Sequence, residues 1–234
     1  MRIIVTEFPK SGGSWLVSML GDILSLPKRD LYTNDKTSFF DPTLHPWYKG
    51  TESWNLPESC IIKSHELPDT KLHSFPASTI HLIRDCRDVV VSSYFFSNEF
   101  CVKNGLIAAF TESFEEHAQN CAIGWACFVS AWRKEDVPSI FYEDLLQDPF
   151  GELKKVLNIL GVPVADSMIH FAVQNNTKEK MHASLADAFM HNTFVRKGIA
   201  GDWINHYDDR LKNIVKKHAG HVLSTLGYTE NDDW

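Results

Sequence analysis

Residues 9–15 read Pro-Lys-Ser-Gly-Gly-Ser-Trp, placing one cation, two adjacent glycines and two hydroxyls between an apolar run and an amphipathic one. At a strand-to-helix junction, unpaired backbone N–H groups and the positive end of the helix dipole form an anion pocket, and glycine lets the backbone approach the anion closely. The chemistry favoured is capture of a phosphate or a related oxyanion. The nucleotide loop G-x-x-x-x-G-K-[ST] does not fit. With Gly12 as its second glycine, Glu7 stands at the first glycine position and Gly13 at the lysine position. The cation lies upstream instead, at Lys10. Two further places offer chemistry. Lys63 and His65 sit two residues apart, an ammonium for negative charge and an imidazole that titrates near neutrality. Arg84 and Ser92 supply a guanidinium and a hydroxyl. Taken alone, each has a bland reading as well: a plain glycine turn, a satisfied loop histidine, a snorkelling lysine, a surface arginine.

These residues need elements to hold them. Residues 2–8 read as a short buried strand around Ile3, Ile4 and Val5, and Trp15, Leu16, Met19, Leu20, Ile23 and Leu24 follow the loop with helical spacing. Further strands are expected over 60–63, 79–84 and 139–142. Helices are expected over 87–97, 114–133 and 150–160, the last stopped by Gly161 and Pro163. Strands alternating with helices predict an α/β fold in which a mostly parallel central sheet is flanked by helices, with ligands at the carboxyl ends of the strands. Asp85 is placed to cap the helix after Arg84, with Asp88 three positions on. Ser92, seven residues beyond Asp85, shares nearly its azimuth, so Arg84 and Ser92 face one ligand. Residues 27–56 and 177–200 lack clear periodicity and read as irregular segments over the site.

Composition narrows the class. A chain of 234 residues, 44% hydrophobic and 23% charged, is expected to form one domain over 1–234. A formal net charge of −7 argues against general attraction to nucleic acid or anionic membrane, so an anion site has to be local. The apolar stretch 118–132 is short and broken by Gln119, Asn120 and Ser130, and residues 1–8 enter a strand without a signal-peptide core. Five cysteines with neither a CxxC pair nor a metal-ligand spacing point to reduced thiols and a cytoplasmic location.

The loop PKSGGSW resembles the 5′-phosphosulfate loop P-K-S-G-T-T-W of the cytosolic sulfotransferases, with Gly13 and Ser14 replacing two threonines. Three more segments resemble that family in the same order. They are Ile62-Lys63-Ser64-His65 with Leu67-Pro68, the stretch from Arg84 to Ser92, and Arg196-Lys197-Gly198 with Gly201-Asp202-Trp203. The resemblance implies an enzyme that moves a sulfuryl group from 3′-phosphoadenosine 5′-phosphosulfate (PAPS) to a hydroxyl or amine of a small acceptor. It releases 3′-phosphoadenosine 5′-phosphate (PAP) and requires no metal. It implies His65 as general base, with Lys63 and Lys10 as the cations at the reacting centre. Lys10, Ser11, Gly12, Gly13, Ser14 and Trp15 are implied for the phosphosulfate end of the donor. Arg84, Ser92, Arg196, Lys197 and Gly198 are implied for its 3′-phosphate, and Trp15, Tyr142 and Thr177 for adenine. Phe8, Phe39, Phe40 and Phe96 are expected to wall the pocket of a hydrophobic or phenolic acceptor. Two departures are visible. The chain starts at the first strand, so the segment that usually helps close the acceptor pocket is expected to be missing. No copy of the family's K-x-x-x-T-V-x-x-x-E dimer motif follows Trp203. Two other readings stay open at this point, a PAP-binding protein without turnover and a carbohydrate sulfotransferase.

Overall fold

The structure is a computed structural model that describes residues 1–30, 58–69, 72, 75–186, 195–230 and 234. Five strands form one sheet: β1 (Arg2–Glu7), β2 (Lys28–Asp30), β3 (Cys60–Ser64), β4 (Ser78–Ile83) and β5 (Ser139–Phe141). Their order is β2-β3-β1-β4-β5, and every neighbouring pair is parallel. β1 thus lies at the centre, which is why Ile3, Ile4 and Val5 are fully buried. Parallel strands buried on both faces read as continuous apolar runs, as 2–6 does.

Helices cover both faces. α1 (Gly13–Leu24), α4 (Tyr142–Gln147), α5 (Pro149–Ile159) and α6 (Asp166–Asn175) pack with Ile3, Val5, Ile61, Ile80 and Leu82. α2 (Cys86–Phe95), α3 (Phe114–Trp132) and α8 (Asp209–Thr225) share a second core with Ile83. α7 (Lys178–Ala186) follows α6. Asp85 caps α2 as expected, accepting from Arg87 N; the structure adds Asp148, which caps α5 ahead of Pro149, and Ser113 with Glu116, which form a reciprocal capping box on α3.

The structure corrects several sequence expectations. The segment 27–56 was expected to be irregular throughout, but it opens with edge strand β2, paired to β3. The segment 177–200 opens with α7. The helix expected over 87–97 is α-helical only to Phe95 and continues as a π-helical stretch, Phe96–Cys101. Asp88 does not complete a capping box; its carboxylate accepts from Gly201 N and Trp203 N instead. α4, α6 and α8 were not anticipated at all.

Candidate active site

The site begins where β1 ends. The chain turns at residues 8–11, with Ser11 N donating to Phe8 O at 3.2 Å, and α1 starts at Gly13. Lys10 and Gly12 have positive φ, 71° and 102°. At Gly12 a side chain is excluded twice, because a Cβ there would also meet the Tyr142 ring at 2.6 Å. The N–H of Gly13 donates to the buried Glu7 carboxylate at 2.5 Å, and a Cβ at residue 13 would collide with that carboxylate. Glycine in place of the family's threonine therefore goes together with Glu7. The Lys63 ammonium reaches Ser14 Oγ at 3.3 Å from β3. Lys10 Nζ lies 3.9 Å from the Phe96 ring centroid. Burial, then the Lys63 ammonium, lower the Lys10 pKa to about 7, with Glu7 opposing and Arg84 reinforcing the fall.

His65 follows β3. The register that pairs Thr6 with Ser64 brings the next two residues together, and His65 Nδ1 lies 2.9 Å from the Glu7 carbonyl oxygen. A carbonyl only accepts, so Nδ1 carries the proton in this bond and Nε2 keeps the lone pair of a neutral ring.

Arg84, at the end of β4, donates to Lys10 O at 3.0 Å and to Ile199 O at 3.2 Å, and its guanidinium lies 4.4 Å from the Tyr142 ring centroid. It therefore joins the loop to the basic segment 196–199. Asp88 fixes the same segment from α2, accepting from Gly201 N at 2.7 Å and from Trp203 N at 3.0 Å. Burial raises the Asp88 pKa, against the pull of Arg84 and these two N–H groups. Arg196 and Lys197 each lie 2.6 Å from the Asp202 carboxylate, which His206 and Asn205 also approach. Burial alone would raise Asp202, but these four partners outweigh it and hold the carboxyl below its ordinary range. Gly198, at φ 63°, turns the chain between them.

On the α1 side, Trp15 and Tyr142 meet edge to face with centroids 6.2 Å apart. Trp15 Nε1 donates to Asn176 O at 2.8 Å, anchoring the end of α6. Thr177 Oγ1 accepts from Lys180 N at the start of α7.

One cavity of about 1120 Å³ collects these groups. It is lined by Lys10, Gly12, Gly13, Ser14, Trp15, Lys63, His65, Arg84, Ser92, Tyr142, Thr177, Arg196, Lys197 and Gly198, with Phe8 and Phe96. Ser11 does not line it: its side chain is buried, and its hydroxyl has no hydrogen-bond partner among the described residues. Phe39 and Phe40 lie outside the described residues. Glu7, Asp88, Asp202 and Asn176 are given no site role by the sequence. Three of them are acids, and only their pairing with cations or N–H groups reveals their place. The cavity fits a bisphosphorylated nucleotide: a glycine-bent loop at a helix start, a lining that includes Lys10, Lys63, Arg84, Arg196 and Lys197, and the buried Arg84 Nε and Arg196 Nε, which have no hydrogen-bond partner among the described residues. Among the described residues no group of three or more His, Cys, Asp or Glu is placed to hold a metal ion, and no helix is long and apolar enough to cross a membrane.

Comparison with known proteins gives the class. The profile of the sulfotransferase domain family matches residues 1–227. Human sulfotransferase 1E1 is 28% identical over 92% of this chain and 81% of its own length, and mouse sulfotransferase 1B1 is 29% identical over 88% and 77%. Among solved structures, mouse sulfotransferase SULT7A1 complexed with PAP superposes with a TM-score of 0.71 at 21% identity, covering 97% of this chain and 88% of that one. Retinol dehydratase in complex with androsterone and PAP also gives 0.71, at 17% identity over 95% and 80%. The chain belongs to the sulfotransferase domain family. It is a PAPS-dependent sulfotransferase.

Proposed function

We propose that residues 1–234 act as a single domain that transfers the sulfuryl group to a hydroxyl, or amine, of a small hydrophobic or phenolic acceptor, with His65 as general base. The observation that carries this reading is the His65–Glu7 hydrogen bond, which leaves Nε2 as a proton acceptor in the cavity that Lys10 and Lys63 also line. His65 Nε2 takes the acceptor's proton as its oxygen bonds to sulfur. Lys63 meets charge on the sulfuryl oxygens. Lys10 meets charge on the 5′-phosphate as the S–O bond to it breaks. The loop 10–15, with Ser11 contributing backbone, cradles that phosphate. Arg84, Ser92, Arg196, Lys197 and Gly198 hold the 3′-phosphate, and Trp15, Tyr142 and Thr177 border adenine. Phe8 and Phe96 wall the acceptor, and the androsterone bound by retinol dehydratase is a small molecule of the class that such a wall suits. We place the enzyme in the cytoplasm with its five thiols reduced, and without nucleic-acid or membrane partners.

The experiment is label transfer from sulfur-labelled PAPS to a panel of phenols, alcohols, amines and sugars. His65→Ala is expected to lower kcat by about 100-fold or more while PAP affinity stays within about twofold. Lost PAP binding with retained turnover would overturn the assignment of the base.

A further inference from the structure

The cavity holds a second polar constellation that this reaction does not use. His117, on the first turn of α3, sits between Ser93 of α2 and Glu112: Nε2 lies 2.7 Å from Ser93 Oγ and Nδ1 lies 3.0 Å from Glu112 Oε2. All three line the same cavity as His65. Phe110, Asn120 and Cys121 line the cavity beside them, and Phe110 and Tyr94 stand edge-on to the His117 ring.

The order serine, histidine, carboxylate is that of a nucleophile with its base and orienter, but the site lacks the rest of that machinery. Ser93 lies inside α2, where the backbone N–H groups are committed to helical carbonyls. It therefore has no neighbouring N–H pair to stabilise an oxyanion. Proton placement shows what the group offers instead. Burial lowers the His117 pKa, against the pull of Glu112, so the ring is neutral near pH 7. Its one proton belongs on Nδ1, facing the carboxylate, so the Ser93 hydroxyl, which also lies 3.1 Å from Val90 O, is drawn to Nε2 at the shorter distance of 2.7 Å. Ser93 Oγ keeps lone pairs, with Cys121 Sγ 3.5 Å away, and Glu112, whose side chain is 40% exposed, keeps a negative charge that Asn120 Nδ2 meets on Oε1 at 3.3 Å. Each has room to accept one further hydrogen bond.

We propose that Ser93, His117 and Glu112 form a second anchor in the acceptor cleft, which binds a hydroxyl or ammonium group carried by the acceptor at the end remote from the oxygen that receives the sulfuryl group. The inference rests on the sulfuryl-transfer reading of the site, and α3 supplies the geometry. Gly124 and Phe128 of that helix pack on Phe8 beside the phosphate loop. His117 lies two turns earlier on the same helix, about 10 Å along its axis. An elongated acceptor with a polar group at each end matches that spacing.

The test compares three phenols, 4-propylphenol, 4-(3-hydroxypropyl)phenol and 4-(3-aminopropyl)phenol, as acceptors for the wild type, Ser93→Ala, His117→Gln and Glu112→Gln. The wild type is expected to favour the hydroxypropyl over the propyl compound by roughly five- to tenfold in kcat/KM, the size of one net hydrogen bond. That ratio falls towards one in Ser93→Ala and His117→Gln, and Glu112→Gln lowers the aminopropyl ratio most. A wild-type ratio near one, or a ratio that all variants keep, overturns the proposal. Calorimetric binding of the same three compounds to the PAP complex separates the two readings. A hydroxypropyl preference in binding without turnover of any phenol would sink sulfuryl transfer and leave the anchor standing. Equal binding of all three would sink the anchor. Should His117→Gln melt early, Ser93→Ala, which removes a single oxygen, decides the matter.

Discussion

Lys10 holds its charge in a place that resists it. Burial comes first among the causes, then the Lys63 ammonium, and Glu7 is the strongest influence in the other direction. An ammonium with a pKa of about 7 is charged below that pH and neutral above it. Because kcat/KM for PAPS reports the free enzyme, it is expected to fall as pH rises through about 7. Glu7→Gln removes the opposing carboxylate, so the falling limb is expected at lower pH than in the wild type. A limb in the ordinary lysine range, or one that Glu7→Gln leaves in place, would separate Lys10 from the charge this profile follows. His81 carries a second pH dependence, this time of stability. It is fully buried on β4 beside Phe128 and Trp132, neither ring nitrogen has a hydrogen-bond partner among the described residues, and burial, then Arg133, push its pKa down to about 3. The unfolded histidine titrates near 6.5, so below that pH the unfolded chain binds the extra proton and stability falls with pH. At pH 5 this one group is expected to cost about 2 kcal/mol relative to pH 7.5, with the loss continuing towards pH 3. Urea unfolding of wild type and His81→Leu at both pH values measures it. Equal losses in the two proteins would show that His81 is not the group involved.

At the scale of elements, the segments proposed to hold the donor are fixed by a carboxylate of α2. Asp88 pins residues 201 and 203 onto the first turn of α2, the helix that also carries Ser92. Asn at 88 accepts through one oxygen and presents an N–H where the other acceptor was. One bond to a charged acceptor is then lost, worth roughly 1.5–3 kcal/mol. Asp88→Asn is therefore expected to weaken PAP by about tenfold or more and AMP, which lacks the 3′-phosphate, much less, as read by calorimetry. Equal weakening of both would place the effect at the phosphate loop instead. The sequence disclosed these elements unevenly. β1, β3, β4 and α1 are legible because Ile3–Val5, Cys60–Ile62 and Leu82–Ile83 give the strands apolar centres and Leu16, Met19, Leu20 and Ile23 repeat with helical spacing. β2, three residues of Lys-Arg-Asp at the sheet edge, carries no apolar signal, since an edge strand is made by its partner's hydrogen bonds. α6 buries only Ile169 and Ala172, too few for a visible stripe. α8 carries a readable rhythm in Leu211, Val215, Ala219 and Leu223 behind the cap Asp208. At the site, the loop and the cations were legible from residue type. Glu7 and the Ser93–His117–Glu112 chain were not, because a carboxylate beside an anion cradle and a histidine on a helix gain meaning only from what the fold sets against them.

For the whole molecule, the site is where distant parts of the chain are fastened together. Arg84 bonds to carbonyls 74 residues before it and 115 after it, Trp15 reaches Asn176, and Lys178 reaches Lys197 O. Indole N–H groups of α3 add two more fastenings, Trp125 to Arg84 O and Trp132 to Glu66 O. A ligand that fills both phosphate positions joins β1, α1, β4, α2 and the segment 195–203 at once, so PAP is expected to raise the stability of the entire fold. At a free concentration 100 times Kd the linkage is about 2.7 kcal/mol. In a chain of this size that amounts to a Tm increase of about 5–10 °C. The same melt tests how the phosphate charge is met. In nucleotide loops that end in lysine, a divalent ion bridges the phosphates and a Ser or Thr following that lysine helps to hold it. Here Gly13 stands at the lysine position, and Lys10, Arg84, Arg196 and Lys197 surround the cavity from other sides. If these side chains and the start of α1 carry the neutralisation, the PAP-induced shift is the same in EDTA as in magnesium, and Lys10→Met reduces it in both. A shift that vanishes in EDTA and returns with magnesium would show that a divalent ion, and not these cations, holds the phosphates.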